Sequence, residues 1–157
     1  MELERLVHTY SIVARDRVTG EMGGAVQSHY FRSGTVLSGE PGVGLVASQA
    51  SGDPSYESLG LALMRSGKSP ADALRGLVVA DPHGGIRQVA IVDAQGRVAA
   101  HTGADTIPEA GHELGDQFSV QANMMLRASV WPAMANAFRA STGHLTERAH
   151  ARRVVRG

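Results

Sequence analysis

The sequence predicts an α+β fold in which antiparallel β-sheets are covered by helices. Strand-like segments come first along the chain, then two helix-like segments, then more strands and a further helix, an order that favours antiparallel over doubly wound parallel sheets. Two pairs of strand-like segments flank short loops that contain Asp and Gly, as β-hairpins do. The chain has 157 residues, of which 43% are hydrophobic, which is enough for one domain with its own core and too few for two.

The first part of the chain contains three predicted strands. Residues 9–14 (TYSIVA) and 22–28 (MGGAVQS) flank the loop 16–20 (DRVTG), whose Asp and Gly suit a tight reversal, so we expect a hairpin. Residues 43–50 (VGLVASQA) predict a third strand, which the turn 51–54 (SGDP) ends.

Two amphipathic helices are predicted next. The first begins at Asp53 and Pro54, because Asp can cap a helix and Pro is tolerated at its first position. The second begins at Ser69, where Asp72 replaces the usual Glu of a capping box, and ends at Asp81. The apolar faces are expected to comprise Tyr56, Leu59, Leu63 and Met64 in the first helix, and Leu74, Leu77 and Val78 in the second.

The second part of the chain predicts another hairpin, a strand and a helix. Residues 87–92 (RQVAIV) and 97–101 (RVAAH) flank the turn 93–96 (DAQG), which has glycine where a hairpin needs it. Residues 117–123 (QFSVQAN) alternate as a strand does, and a helix is expected over 129–143. Its apolar face comprises Val130, Met134, Ala137 and Phe138.

The ends of the chain differ from its middle. Residues 1–8 (MELERLVH) form an N-terminal extension, and residues 9–148 form the predicted domain. Residues 147–157 (ERAHARRVVRG) are basic and have no helical stripe, so we expect a frayed tail, with residues 149–157 divergent.

Composition excludes several classes of function. Lys plus Arg equals Asp plus Glu at 15 each, so the chain has no net charge that would attract it to nucleic acid or to a membrane. We therefore expect a small-molecule partner. The absence of cysteine removes thiolate nucleophiles and Cys-based zinc sites, and it suits a reducing compartment. The opening residues lack the apolar run of a secretory signal, and no later stretch approaches a membrane span, so we expect a cytoplasmic location.

Common catalytic motifs have little support. Gly67, Lys68 and Ser69 resemble the end of a phosphate loop, but Ala62 stands where that motif needs glycine, so we interpret them as a helix end followed by a cap. The seven histidines are scattered, with no pair at i, i+4 beside a Glu, and we expect neither a metal site nor a cofactor. No Gly-x-Ser-x-Gly elbow supports a Ser-His-Asp triad.

A series of short motifs occurs in a characteristic order. They are 10–16 (YSIVARD), 25–28 (AVQS), 42–44 (GVG), 53–56 (DPSY), 87–89 (RQV), 92–93 (VD), 97–99 (RVA), 101–103 (HTG), 110–112 (AGH) and 119–124 (SVQANM). This set closely resembles the domain of unknown function 1028 family, which is assigned by fold to the N-terminal-nucleophile hydrolases. The resemblance covers residue 9 to about residue 148.

The resemblance implies a four-layer αββα sandwich of antiparallel sheets and an N-terminal nucleophile that attacks an amide carbon. Thr9 matches that nucleophile. A free α-amine titrates at about pH 8, so it can take the hydroxyl proton of its own residue. The expected activity is hydrolysis of a non-peptide amide C–N bond by a chain that lacks residues 1–8. Either the start of the sequence is placed too far upstream, or the protein cleaves itself after His8. If residues 1–8 are retained, the Thr9 nitrogen is acylated, and Thr9 is a plain strand residue.

Further candidates surround Thr9. Asn123, the second catalytic candidate, and Gln121 lie where a strand reaches a loop and could donate to an oxyanion or satisfy local backbone groups. Gln27 and His29 lie on the strand expected to pair with that of Thr9, although alternation allows only one of Gln27 and Ser28 to face it. The other substrate-binding candidates are Gln49, His101 and His112. The alternative for the two histidines is that they are solvated loop residues with no contact to substrate.

Two alternatives to an amidase stay open. In the first, the protein has the fold but no free nucleophile, and it acts as a ligand-binding or assembly protein. In the second, it is an inactive truncated homologue. The second alternative arises because the family continues past residue 148 with a further helix and strands, so that the fold is expected to be incomplete at its C-terminus. A missing edge strand would expose unpaired backbone and apolar surface, so the chain should aggregate, be unstable or pair with another copy, and we expect a homo-oligomer.

Overall fold

The computed structural model describes residues 8–31 and 33–149 as two four-stranded antiparallel sheets with four α-helices, which confirms the α+β class. The strands are β1 (Thr9–Arg15), β2 (Met22–Ser28), β3 (Leu37–Glu40), β4 (Gly44–Ala50), β5 (Arg87–Asp93), β6 (Val98–Thr102), β7 (Gly111–Gly115) and β8 (Phe118–Asn123). The helices are α1 (Ser55–Arg65), α2 (Pro70–Ala80), α3 (Val130–Ala140) and α4 (Leu145–Ala149). No helix within these residues is both long and apolar enough to cross a bilayer.

The first sheet has the strand order β2-β1-β8-β7, and the second has β3-β4-β5-β6. Both predicted hairpins are present, β1 with β2 and β5 with β6. Their turns have the expected chemistry: Asp16 Oδ1 accepts from the amides of Val18 and Thr19, and Gly96 adopts a φ of 82°. Because β1 lies between β2 and β8, Thr9 stands opposite Ser28 on one side and Asn123 on the other.

Apolar clusters hold helices to the outer faces of the two sheets. Tyr56 and Met64 of α1 pack with Leu74 of α2 against β4 and β5 of the second sheet. Phe138 of α3 and Leu145 of α4 pack against β1 and β8 of the first sheet. Ser69 caps α2 as the sequence predicts, since its Oγ accepts from the Asp72 amide at 3.1 Å.

The space between the sheets is divided into an apolar half and a polar half. Val13, Ala47, Ala90 and Val92 form the apolar half, and all four are fully buried. Towards the first residue of β1 the inward positions become polar instead, and six buried polar side chains belong to this half: Ser11, Gln49, Gln88, Ser119, Gln121 and Asn123. Because buried polar groups are costly without partners, this half requires a nearly complete hydrogen-bond network.

Several expectations require correction. Strands β3 and β7 were not predicted, because LSGE and GHELG contain no β-branched residue and little alternation. Leu59 is 49% exposed, since Gly60 and Leu61 occupy the buried face of α1. Helix α3 ends at Ala140, before Gly143. Residues 147–149 belong to α4 rather than to a frayed tail, and the rest of that tail lies outside the described residues.

Candidate functional site

Thr9 is the first residue of β1 and is half-buried. Side chains alternate across a strand, so Thr9 points to the same side as the buried Ser11 and Val13, towards the second sheet. The Thr9 Oγ1 lies 2.8 Å from Ser28 Oγ, which also accepts a hydrogen bond from the Tyr30 amide at 2.9 Å. The Thr9 hydroxyl is therefore held in place at the partly exposed end of the polar half.

His8 continues the strand pairing upstream of Thr9. Its carbonyl accepts from the His29 amide at 3.3 Å, and the two imidazole rings meet edge to face with centroids 4.2 Å apart. Burial, and then the charge of His29, lower the pKa of His8 below its ordinary value. His8 is therefore neutral at neutral pH, and its ring lies against His29 and Tyr10 on the face of the strand opposite to the Thr9 side chain.

Gln88 is the centre of the buried network, and its amide orientation is fixed by the backbone. Its Nε2 donates to the carbonyl oxygens of Ala122 at 2.9 Å and Gly111 at 3.2 Å, which can only accept. The Gln88 Oε1 must therefore face the opposite side. There it accepts from Gln49 Nε2 at 2.7 Å and from Asn123 Nδ2 at 3.0 Å.

The remaining hydrogen bonds of the network form a series in which each side chain donates to the next. Ser119 Oγ donates to Gln121 Oε1, and Gln121 Nε2 donates to Ser11 Oγ at 2.6 Å. Ser11 Oγ in turn donates to Gln49 Oε1 at 2.6 Å. The chain of donors links the two sheets, and sequence reasoning missed Ser11, Ser119 and Gln88 as parts of it. The available signal for Gln88 was a polar residue directly before the apolar run 89–92 of β5.

Asn123 has a buried oxygen without a partner. Its Nδ2 donates to Gln88, which directs Oδ1 to the other side of the amide, and this oxygen has no hydrogen-bond partner within the described residues. Asn123 is fully buried and pairs directly with Thr9 across β1 and β8. An unpaired buried acceptor beside Thr9 favours a donor group that enters the site.

The other candidates differ in how they relate to Thr9. The structure brings Gln49 and Gln121 together with Asn123 in the network. The Gln27 side chain is exposed and, one residue before Ser28, points away from the inter-sheet space. Neither His101 nor His112 is near Thr9 in the strand register.

His101 lies on the outer face of the second sheet, whereas His112 lies on the inner face of the first sheet. His101 Nε2 is 2.8 Å from the Gly84 carbonyl, on the helix side of the second sheet. His112 faces inward, and its Nδ1 is 2.8 Å from Thr102 Oγ1, which accepts from Gln88. Burial, and then the charge of His101, lower the pKa of His112.

A cavity of about 500 Å³ opens beside β7, within the size range of small-molecule sites. Its walls are formed by Thr102, by parts of the following loop up to His112, and by Trp131 of α3. No group of three His, Asp or Glu side chains within residues 8–31 and 33–149 is arranged to hold a metal ion.

Comparisons with known proteins give a family but no activity. The model of a family described as "Family of unknown function (DUF1028)" matches residues 9–151. The crystal structure of protein SPO2555 from Silicibacter pomeroyi, of the same family model, is similar to this chain with 33% identity and a TM-score of 0.86. The match covers 90% of this chain and 66% of that one, so the chain spans just under two thirds of that protein. No curated protein matches the sequence significantly.

Proposed function

We propose, from the premise that the chain belongs to the family of unknown function DUF1028, that it is an amide hydrolase whose nucleophile is Thr9 at a mature N-terminus. One observation supports this most: the Thr9 hydroxyl, 2.8 Å from Ser28 Oγ, stands at the partly exposed end of a polar space between two sheets. A nucleophile needs such a fixed position and access to a substrate.

The arrangement of helices and sheets is compatible with an αββα sandwich of the N-terminal-nucleophile type. α1 and α2 pack on the outer face of one sheet, α3 and α4 pack on the outer face of the other, and a third cluster lies between the sheets. A fold by itself does not give an activity, so the assignment depends on the chemistry of Thr9.

In the proposed reaction the free α-amine of Thr9 takes the proton of Oγ1, and Oγ1 attacks the carbonyl carbon of a small amide. The tetrahedral intermediate collapses when its C–N bond breaks, and the leaving nitrogen takes the proton from the Thr9 ammonium. The product is an ester on Thr9 and a free amine. Water, deprotonated by the same α-amine, then attacks the ester and releases a carboxylic acid and Thr9.

Asn123 has a specific part in this proposal. The Oδ1 of Asn123 is buried without a partner, and an α-amine freed at Thr9 supplies N–H donors on the strand next to it. A hydrogen bond to this oxygen would orient the amine towards its own hydroxyl. The amide nitrogens of Asn123 and Gln121 are engaged with Gln88 and Ser11, so the oxyanion requires other donors or a second hydrogen of these amides.

A non-catalytic ligand-binding role is the second candidate, and one observation favours it. His8 is joined to Thr9, and its carbonyl accepts from the His29 amide, so residue 8 extends the sheet. An acylated Thr9 nitrogen in this state cannot act as a base.

The test uses a chain that begins at Thr9, produced by cleavage of a fusion directly before that residue. A panel of small amides is assayed for release of amine, with the intact mass confirming the N-terminus. We expect turnover that Thr9→Ala abolishes and Thr9→Ser partly retains, while Thr19→Ala in the exposed β1–β2 turn changes nothing. Turnover that survives Thr9→Ala would exclude Thr9 as the nucleophile.

A further inference from the structure

The cavity beside β7 lies outside the Thr9 site. Thr9 is in the middle of the first sheet, whereas the cavity lies at the edge strand β7, with β6 of the second sheet contributing Thr102. Thr9 does not line it. A ligand can therefore bind in this cavity without lying against Thr9.

The described lining of the cavity is acidic overall. Glu109 is exposed and contributes a carboxylate, and neither Lys nor Arg is among the described lining residues. The nearby Arg87 guanidinium is turned away to Asp81, with Nε 2.8 Å from Oδ2. His112 adds no positive charge, because burial and His101 lower its pKa and leave it neutral at pH 7. The described lining therefore offers no positive charge to an anionic ligand, whereas Glu109 offers a negative charge to a cation.

Trp131 gives the cavity an aromatic wall that glycine makes possible. A Cβ on Gly111 would lie 2.4 Å from Cζ2 of the indole, so only glycine allows the ring to rest against the backbone of β7. Thr102 Oγ1 and the Nδ1 of His112 are engaged with each other at 2.8 Å, which fixes the polar side of the cavity. An aromatic ring, a carboxylate and neutral polar groups are the elements that bind organic ammonium ions.

We infer that this cavity binds a small organic ammonium ion, for which Glu109 supplies the counter-charge and Trp131 an aromatic surface. The site is small, open and built without a second carboxylate, so the affinity is modest, with a Kd on the order of 1 mM. Binding does not depend on a free Thr9 amine.

Trp131 also makes the site measurable, because it is the single tryptophan of the chain. The chain that retains residues 1–8 is titrated with choline and with butylammonium, and the tryptophan emission is followed. The control ligand for choline is 3,3-dimethylbutan-1-ol, which has the same shape without the charge. Isothermal titration calorimetry gives the same constants independently of fluorescence.

We expect saturable binding of at least one of the two ammonium ions, and binding of the neutral alcohol at least about fivefold weaker than that of choline wherever choline binds. Glu109→Gln weakens ammonium binding about three- to fivefold. Glu21→Gln removes the same charge from the exposed β1–β2 turn and leaves the affinity unchanged. Thermal unfolding of both variants controls for a change in stability.

Three outcomes would overturn the inference. They are no saturation by either ammonium ion up to about 50 mM, equal binding of the alcohol and choline, or equal affinities of the Glu109→Gln variant and the parent chain. Because these titrations use protein with a blocked Thr9 nitrogen, their failure says nothing about the proposed hydrolase, and failure of the hydrolase assay leaves them intact.

Discussion

Replacement of Gln88 by Met tests whether the buried amide network holds the two sheets together. Met has nearly the shape of Gln, but its thioether sulfur is only a weak acceptor for the hydrogen bonds from Gln49 Nε2 and Asn123 Nδ2. Leaving two buried donors unpaired costs about 2–6 kcal/mol, at ~1–3 kcal/mol each. The lower desolvation cost of Met offsets about 1 kcal/mol of this, so the net loss is about 1–5 kcal/mol.

The loss is measured as the change in the free energy of unfolding in urea. Gln27→Met is the matched control, since Gln27 is an exposed residue of β2 that faces away from the network. We expect the control to change the free energy of unfolding by less than about 0.5 kcal/mol. If Gln88→Met lowers the free energy of unfolding no more than Gln27→Met does, the network adds nothing to stability.

Two further predictions concern an ion pair and the aromatic wall of the cavity. The Arg87 guanidinium, together with a backbone amide, lowers the pKa of Asp81 to about 2, so this carboxylate stabilises the fold above the unfolded pKa of 3.8 and the contribution is lost as pH falls towards 2. Urea unfolding at pH 7 and pH 3 should show a smaller acid-induced loss for Asp81→Asn than for the parent chain, and equal losses would contradict the assignment. Gly111→Ala should displace the Trp131 indole, shift its emission and cost about 1–3 kcal/mol, whereas unchanged emission and stability would contradict the packing.

Much of the fold was predictable because its local signals are strong. The hairpins follow from turns with Asp and Gly in the required places, and α2 follows from Ser69 and Pro70. Strands β3 and β7 lie at the edges of their sheets and are short, so pairing with one neighbour rather than their own residues determines them. The edge strands β2 and β6 were predictable because a hairpin turn precedes each, whereas β3 and β7 contain no β-branched residue that would indicate a strand.

The site was predictable only in part. Thr9 was identified through a family resemblance, and its nearness to Ser28 follows from the β1–β2 register. The contact of Gln49 with Gln88 joins residues 39 positions apart on neighbouring strands, and a shift of one residue in register would turn either side chain to the helix face. The unpaired oxygen of Asn123 depends on the Gln88 amide orientation, which only the three-dimensional arrangement determines.

If Thr9 acts through its own free nitrogen, the rate at which its hydroxyl is acylated must depend on whether that nitrogen is free. Two chains are prepared that differ by a single residue, one beginning at Thr9 and the other at His8, and each is exposed to the same acylating amide. Mass spectrometry follows the rate at which Thr9 gains an acyl group. We expect acylation at least about 100-fold faster for the chain that begins at Thr9, because a positioned general base contributes about this factor. Equal rates for the two chains, or no acylation of either, would contradict this expectation.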